Sequence, residues 1–293
     1  MKRVLFVFFY LISITVFSQN LVRNPNLEEY YHLPDLIYEY GERYQDSAFI
    51  CKYWHKVKCT TPDYYHINAV HNRYGIPNNI MGYHPVISDS AYIGFIPFDL
   101  GGGSEPVSGE FSKPLEADSI YEISFYYRFS AISYFYLDKI ECRISNRIDD
   151  LKNIRGQGVY DYDRIMTADI LANVHFDTNL NNDGEWHKMS GTYKAIGGEK
   201  YITFGIFYQN DKLNKIINDY VGYNFQMGWN QNILERFYKK NSKYFPFIHR
   251  NPNYKLYGSD CEIIVDMDNE SYNFKEHVSY YFIDNISVIK QKK

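Results

Sequence analysis

The sequence has no excess of positive charge. Lys and Arg number 31 against 35 Asp and Glu in 293 residues, a formal net charge of −4. That balance offers little to hold a nucleic-acid backbone, so no nucleic-acid partner is expected. Long apolar runs are scarce too: the one in residues 4–17 is broken by Ser13 and Thr15 and falls short of the roughly 20 residues that cross a bilayer. Gly (18) and Pro (10) are ordinary in number, which excludes collagen-like and low-complexity chains. Reaction signatures are also missing. There is no His-Glu-x-x-His, no Gly-x-Ser-x-Gly and no P-loop. Gly101-Gly102-Gly103-Ser104 precedes no helical pattern and runs into Glu105-Pro106, so it reads as a surface loop, not a phosphate cradle. His66 and His71 are not spaced as a metal-ligand pair. No catalytic residue is assigned and the chain is not expected to be an enzyme, although carboxylates that pair only in space leave no mark in sequence.

What is present begins with an address. Lys2 and Arg3 precede the short apolar run, and Val16-Phe17-Ser18 suits cleavage after Ser18. Residues 1–18 read as a signal peptide, which makes the protein exported: secreted, periplasmic or outer-membrane-associated, with no transmembrane segment after cleavage. Export permits disulfides among Cys51, Cys59, Cys142 and Cys261. Cys51 with Cys59 is the simplest local pair, and Cys142 with Cys261 would bridge two strand-like runs. The alternative is buried free thiols, which behave as small hydrophobes.

The rest reads as strands. Tyr121, Ile123, Phe125, Tyr127 and Phe129 share one face of an alternating segment; Glu122, Ser124, Tyr126 and Arg128 share the other. Period two marks a half-buried strand. Residues 200–208 are β-branched and aromatic, and residues 187–194 form a more polar partner across a turn-rich link. Further strands are expected at 91–98, 136–144, 261–267 and 278–289. Many short strands with polar turns predict an all-β, antiparallel sandwich or barrel. Residues 211–260 break the pattern. Ile233, Leu234, Phe237 and Tyr238 recur at helical spacing, which predicts a partly helical insertion between two strands of one domain spanning 19–293. Residues 149–177 read as a long loop.

The two ends carry a resemblance. Asn20-Leu21-Val22-Arg23-Asn24-Pro25-Asn26-Leu27-Glu28-Glu29 opens the mature chain, and Tyr280-Tyr281-Phe282-Ile283-Asp284-Asn285-Ile286-Ser287-Val288 closes it. This pair of ends resembles the jelly-roll carbohydrate-binding modules of the galactose-binding-like superfold. Ile76-Pro77-Asn78-Asn79, Gly184-Glu185-Trp186 and Ser190-Gly191-Thr192-Tyr193 look like a subgroup from secreted or outer-membrane proteins of Bacteroidetes-type bacteria. The resemblance implies a jelly-roll β-sandwich and one structural Ca2+, held by carboxylates at the positions of Glu28 and Asp284. Physical reasoning points the same way at Asp284, which lies in line with an apolar face, because a buried carboxylate is costly unless paired or metal-bound. Two other acidic stretches, from Asp177 to Glu185 and from Asp266 to Glu270, lack the glycine spacing of a calcium loop and read as turns.

Aromatics are the remaining lead: they make up 18% of residues, with 31 Tyr. Flat side chains stack on the apolar faces of sugar rings, while polar neighbours bind hydroxyls. Trp54 and Trp186 fall where the resembling modules place core aromatics. Trp229, Tyr126, Arg128, Tyr134 and Tyr136 are the candidate ligand-binding residues. The expected function is a non-catalytic glycan-binding or cell-envelope polysaccharide-binding module. Two alternatives are a structural or protein-interaction subunit of the envelope, using the insertion as contact surface, and an uncharacterised hydrolase.

Overall fold

The computed structural model describes residues 19–35, 49–57, 62–99, 104–130, 132–148, 172–174, 176, 178–207, 231–252 and 278–291. Residues 1–18, expected as a signal peptide, together with Trp229, Cys59, Cys261, the strand expected at 261–267 and nearly all of the long loop expected at 149–177, lie outside the described residues. Strands β1 (Trp54–Lys56) and β2 (Asp63–His66) come first, then a small hairpin of β3 (Asn78–Asn79) and β4 (Gly82–Tyr83). β5 (Ala91–Asp99), β6 (Val107–Glu110), β7 (Ile120–Phe129), β8 (Phe135–Leu137), β9 (Glu141–Ser145), β10 (His187–Lys194) and β11 (Tyr201–Gly205) follow. One helix, α1 (Gln231–Asn241), precedes β12 (Ile248–Arg250) and β13 (Val278–Lys290).

Two antiparallel sheets dominate, ordered β1-β6-β11-β9 and β10-β7-β13-β5-β2. From β5 onward, successive strands of these sheets alternate between them: β5, β7, β10 and β13 in one, β6, β9 and β11 in the other. This is the jelly-roll sandwich, in which each sheet buries one face against its partner. Phe125 on β7 meets Phe204 on β11 across the interface, ring centroids 4.8 Å apart, and Trp54 stacks on Phe204 from β1. Tyr121, Ile123, Phe125, Tyr127 and Phe129 are all buried in this core, as the alternation predicted. Each such side chain contributes about 1.5–3 kcal/mol by leaving water.

The opposite face of the five-stranded sheet departs from expectation. Period two predicts an open polar face, yet Ser124 and Arg128 are buried. The cause is a second apolar layer. Tyr65, Tyr92, Tyr280 and Phe282 project outward and are roofed by Tyr74, Ile80, Met81 and Ile132, so part of this sheet is buried on both sides.

The chain ends lie side by side. The Leu21 amide donates to the Val288 carbonyl (2.9 Å) and Ile286 to Pro25 (2.9 Å), while Asn20 accepts from the Val288 amide (2.9 Å). Leu27 and Ile286 share the main core. β13 was expected to keep one parity from Val278 to Val288. Its register instead shifts between Asp284 and Ser287, where Asn285 takes a φ of 51°. This bulge lets Tyr281 and Ile283 enter the main core before it and Ile286 and Val288 after it. It leaves Asp284, paired with Tyr126 in the ladder, on the outer face.

The expected strand at 136–144 is two strands. β8 pairs with β12 in a small sheet, and β9 joins the four-stranded sheet. The helix predicted in the insertion forms at Gln231–Asn241, and its Phe237 and Tyr238 pack on the main core beside Phe245. Cys51 and Cys142 are both free and buried, so at these two positions the buried-thiol alternative holds and not the Cys51–Cys59 or Cys142–Cys261 bridge. Each thiol sits fully inside the core at 0% exposure.

Candidate functional site

Arg128 is the most unusual polar residue of the outer face. Its Nε donates to Nδ1 of His84 (3.2 Å), and the far ring nitrogen of His84 donates to the Met81 carbonyl (2.6 Å). His84 must therefore be neutral, with the proton on Nε2. Burial holds its pKa down at about 3, and the Arg128 charge opposes protonation further. The terminal nitrogens of Arg128 make no hydrogen bond among the described residues. The nearest carboxylate, Glu185, stands 3.7 Å from Nη1 with its side chain 73% exposed, whereas the Arg128 side chain is 8% exposed. Burial lowers the Arg128 pKa, while the charges of Glu185, Tyr92, Asp183 and Tyr83 favour its charged form.

The phenols of Tyr92 and Tyr83 lie within electrostatic reach of this cation. Tyr83, at the end of β4, is 62% exposed. Trp186 is half-buried; its ring leans on Tyr92 (5.7 Å) and its Nε1 donates to the Pro85 carbonyl (2.8 Å). Tyr126, two residues before Arg128 on the same strand face, is half-buried, and the exposed Lys188 lies opposite it on β10. The turn before Trp186 is fixed by Asp183, which accepts from the Glu185 amide (2.9 Å) and bonds His187 Nε2 (2.8 Å). This is the turn predicted in place of a calcium loop.

Tyr126 and Arg128 are thus brought together on one face, but Tyr134 and Tyr136 lie elsewhere. Tyr134 is 1% exposed; its hydroxyl donates to Glu235 of α1 and the Arg250 guanidinium covers its ring at 5.6 Å. It is a structural residue clamping the insertion. Tyr136 is half-buried and stacks on His249 (5.1 Å), whose Nε2 is 2.8 Å from Asp138. Within residues 235–252, Phe237 and Tyr238 pack inward and no large apolar side chain is exposed.

The pair Glu28 and Asp284 occupies the crossing of the two chain ends. Asp284 is 1% exposed. One carboxylate oxygen accepts from the Asn285 amide (2.6 Å); the other, Oδ2, is buried without a hydrogen-bond partner. Burial pushes the Asp284 pKa up to about 8; the Asn285 amide opposes this, while Glu28 and Asp89 add to it. Glu28 accepts from the Ser90 amide (2.8 Å). Among the described residues, no group of three or more His, Cys, Asp or Glu side chains is placed to hold a metal. A raised carboxyl pKa is also what a general acid needs, but Asp284 is too enclosed for a substrate to reach.

Solved structures similar to the chain include the following two. A proposed sugar-binding protein from Bacteroides thetaiotaomicron is similar over 93% of this chain and 100% of its own, with 8% identity and a TM-score of 0.34. The adhesin domain of Lys-gingipain from Porphyromonas gingivalis is similar over 55% of this chain and 85% of its own, with 14% identity and a TM-score of 0.29. No protein-family model and no curated protein matches the chain.

Sequence reasoning missed Tyr83, His84 and Glu185 as companions of Arg128. Residues 83–84 and 185 lie on separate connections that meet only because β5, β13, β7 and β10 are neighbours in one sheet. The available signal was weak: an apolar Tyr flanked by Gly82 and His84 in a turn-rich stretch.

Proposed function

We propose that this protein is an exported, non-catalytic glycan-binding module, and that the glycan lies on the outer face of the five-stranded sheet, at Arg128 and Tyr83. The observation that carries this reading is the Arg128 guanidinium, held at its Nε by His84 with no hydrogen bond to its terminal nitrogens among the described residues, within electrostatic reach of the phenol of the exposed Tyr83. A sugar offers hydroxyls to such donors and a C–H face to such a ring. Tyr126 and Lys188 extend the same surface along the sheet. Export rests on the signal-like residues 1–18; no helix among the described residues is long and apolar enough to cross a membrane.

The same reading includes a structural cation. The buried Oδ2 of Asp284 has no hydrogen-bond partner among the described residues, Glu28 acts on it electrostatically, and a hard divalent ion such as Ca2+, which takes the ionised carboxylate, suits oxygen ligands of this kind. Glu28 and Asp284 would hold it, with backbone oxygens completing its shell. A bound ion would supply the missing countercharge and tie the first segment to the last strand.

A glycan array probed with the wild type and with Tyr83→Ala tests the function. Binding to one class of glycan, lost in Tyr83→Ala with the fold intact, is the expected result. Silence of the wild type across the array would overturn the proposal.

A further inference from the structure

The charge at Arg128 narrows the ligand class. A guanidinium whose side chain is 8% exposed is costly to keep unless a counter-ion is hydrogen-bonded to it. Among the described residues none is. Glu185, at 3.7 Å and 73% exposed, is beyond hydrogen-bond reach and mostly in water, where such a pair contributes little. Asp183 is engaged by His187 and the Glu185 amide. His84 occupies the Nε edge and is held neutral by its own bond to Met81, so it cannot neutralise the charge. What remains is the planar end of the guanidinium, which matches the two oxygens of a carboxylate. A neutral hydroxyl would fill one donor direction and leave the charge uncompensated. Lys188 adds a second, exposed cation across from Tyr126 on the same face.

We propose that the glycan bound at this site is acidic: the carboxylate of a hexuronic acid unit takes the terminal nitrogens of Arg128 in place of Glu185, while its ring lies toward Tyr83. This rests on the glycan-binding reading above. Glu185 acts as a weak counter-ion of the free protein that the ligand displaces into solvent, so its removal relieves a repulsion. Neutral sugars lack the group that the buried charge requires.

The test uses tetramers of galacturonate, glucuronate and mannuronate, each as the free acid and as the methyl ester, titrated calorimetrically into the mature protein. At least one free acid should bind about tenfold or more tightly than its ester, the effect of a charge-assisted bidentate contact. Glu185→Gln, at an exposed position, should tighten the acid severalfold and leave the ester unchanged. Arg128→Gln should make acid and ester equal. If esters or neutral glycans on the array bind as well as the acids, the acidic-ligand proposal is overturned and the glycan-binding reading stands. If neither the tetramers nor the array gives binding, both are overturned.

Discussion

Gly94 on β5 faces the Tyr280 phenol so closely that a β-carbon there would stand 2.2 Å from the phenol oxygen and 2.7 Å from the Tyr65 ring. The missing side chain makes room for two phenols that meet at 2.9 Å and both donate to Asp63. Gly94→Ala is therefore expected to cost about 1–3 kcal/mol through overpacking. Urea unfolding measures it, and an unchanged midpoint would contradict the close approach.

Tyr281 links β13 to the end of β8 and to the segment at Asn182. Its hydroxyl accepts from the Leu137 amide (2.8 Å) and donates to Asn182 (2.6 Å). Tyr281→Phe should destabilise by about 1–3 kcal/mol, since both partners lose their bond inside the core. Faster hydrogen exchange at the Leu137 amide would accompany the loss.

Asp284 predicts a pH dependence for the metal-free protein. Its folded pKa, about 8, lies above its ordinary value of 3.8, so the folded state holds a proton that the unfolded chain has released. Stability is greatest below the ordinary value and falls as pH rises toward 8, by at most about 1.4 kcal/mol per pH unit. Chelator-treated Asp284→Asn should lose this decline between pH 6.5 and 8. A decline of equal slope in both proteins would remove Asp284 as its source.

Calcium should reverse that trend. Binding requires the ionised carboxylate, so Ca2+ should raise the melting temperature more at pH 8 than at pH 5.5. The Asp284→Asn protein should respond at neither. Absence of any shift in the wild type, measured by calorimetry with and without chelator, would remove the cation from the proposed function.

His84 works in the opposite sense at lower pH. Its folded pKa of about 3 lies below its ordinary value of 6.5, so its contribution is complete above 6.5 and is lost as pH falls toward 3. In NMR titration the His84 ring should stay neutral at pH 5. A His84 midpoint near 6.5 would show that it does not hold Arg128 as described.

The alternation of residues 121–129 determined which side chains of β7 enter the core, because a strand's period of two is local. Residues 187–194 were legible as a strand for the same reason, but their expected pairing with residues 200–208 was not: they pair with β7 in the other sheet, a choice that no local pattern makes. The bulge at Asn285 was not legible either, since it is the packing of Tyr281 and Ile286 into one core that forces the parity change. The enclosure of Arg128 was invisible as well. Its strand neighbours say only that it faces outward, whereas the residue that meets its Nε, His84, lies 44 positions earlier in the chain. The amino-acid order alone thus set the sandwich and its inner faces. Tertiary structure decided which polar groups are cut off from water, because desolvation depends on everything packed around a group and not on its neighbours in the chain.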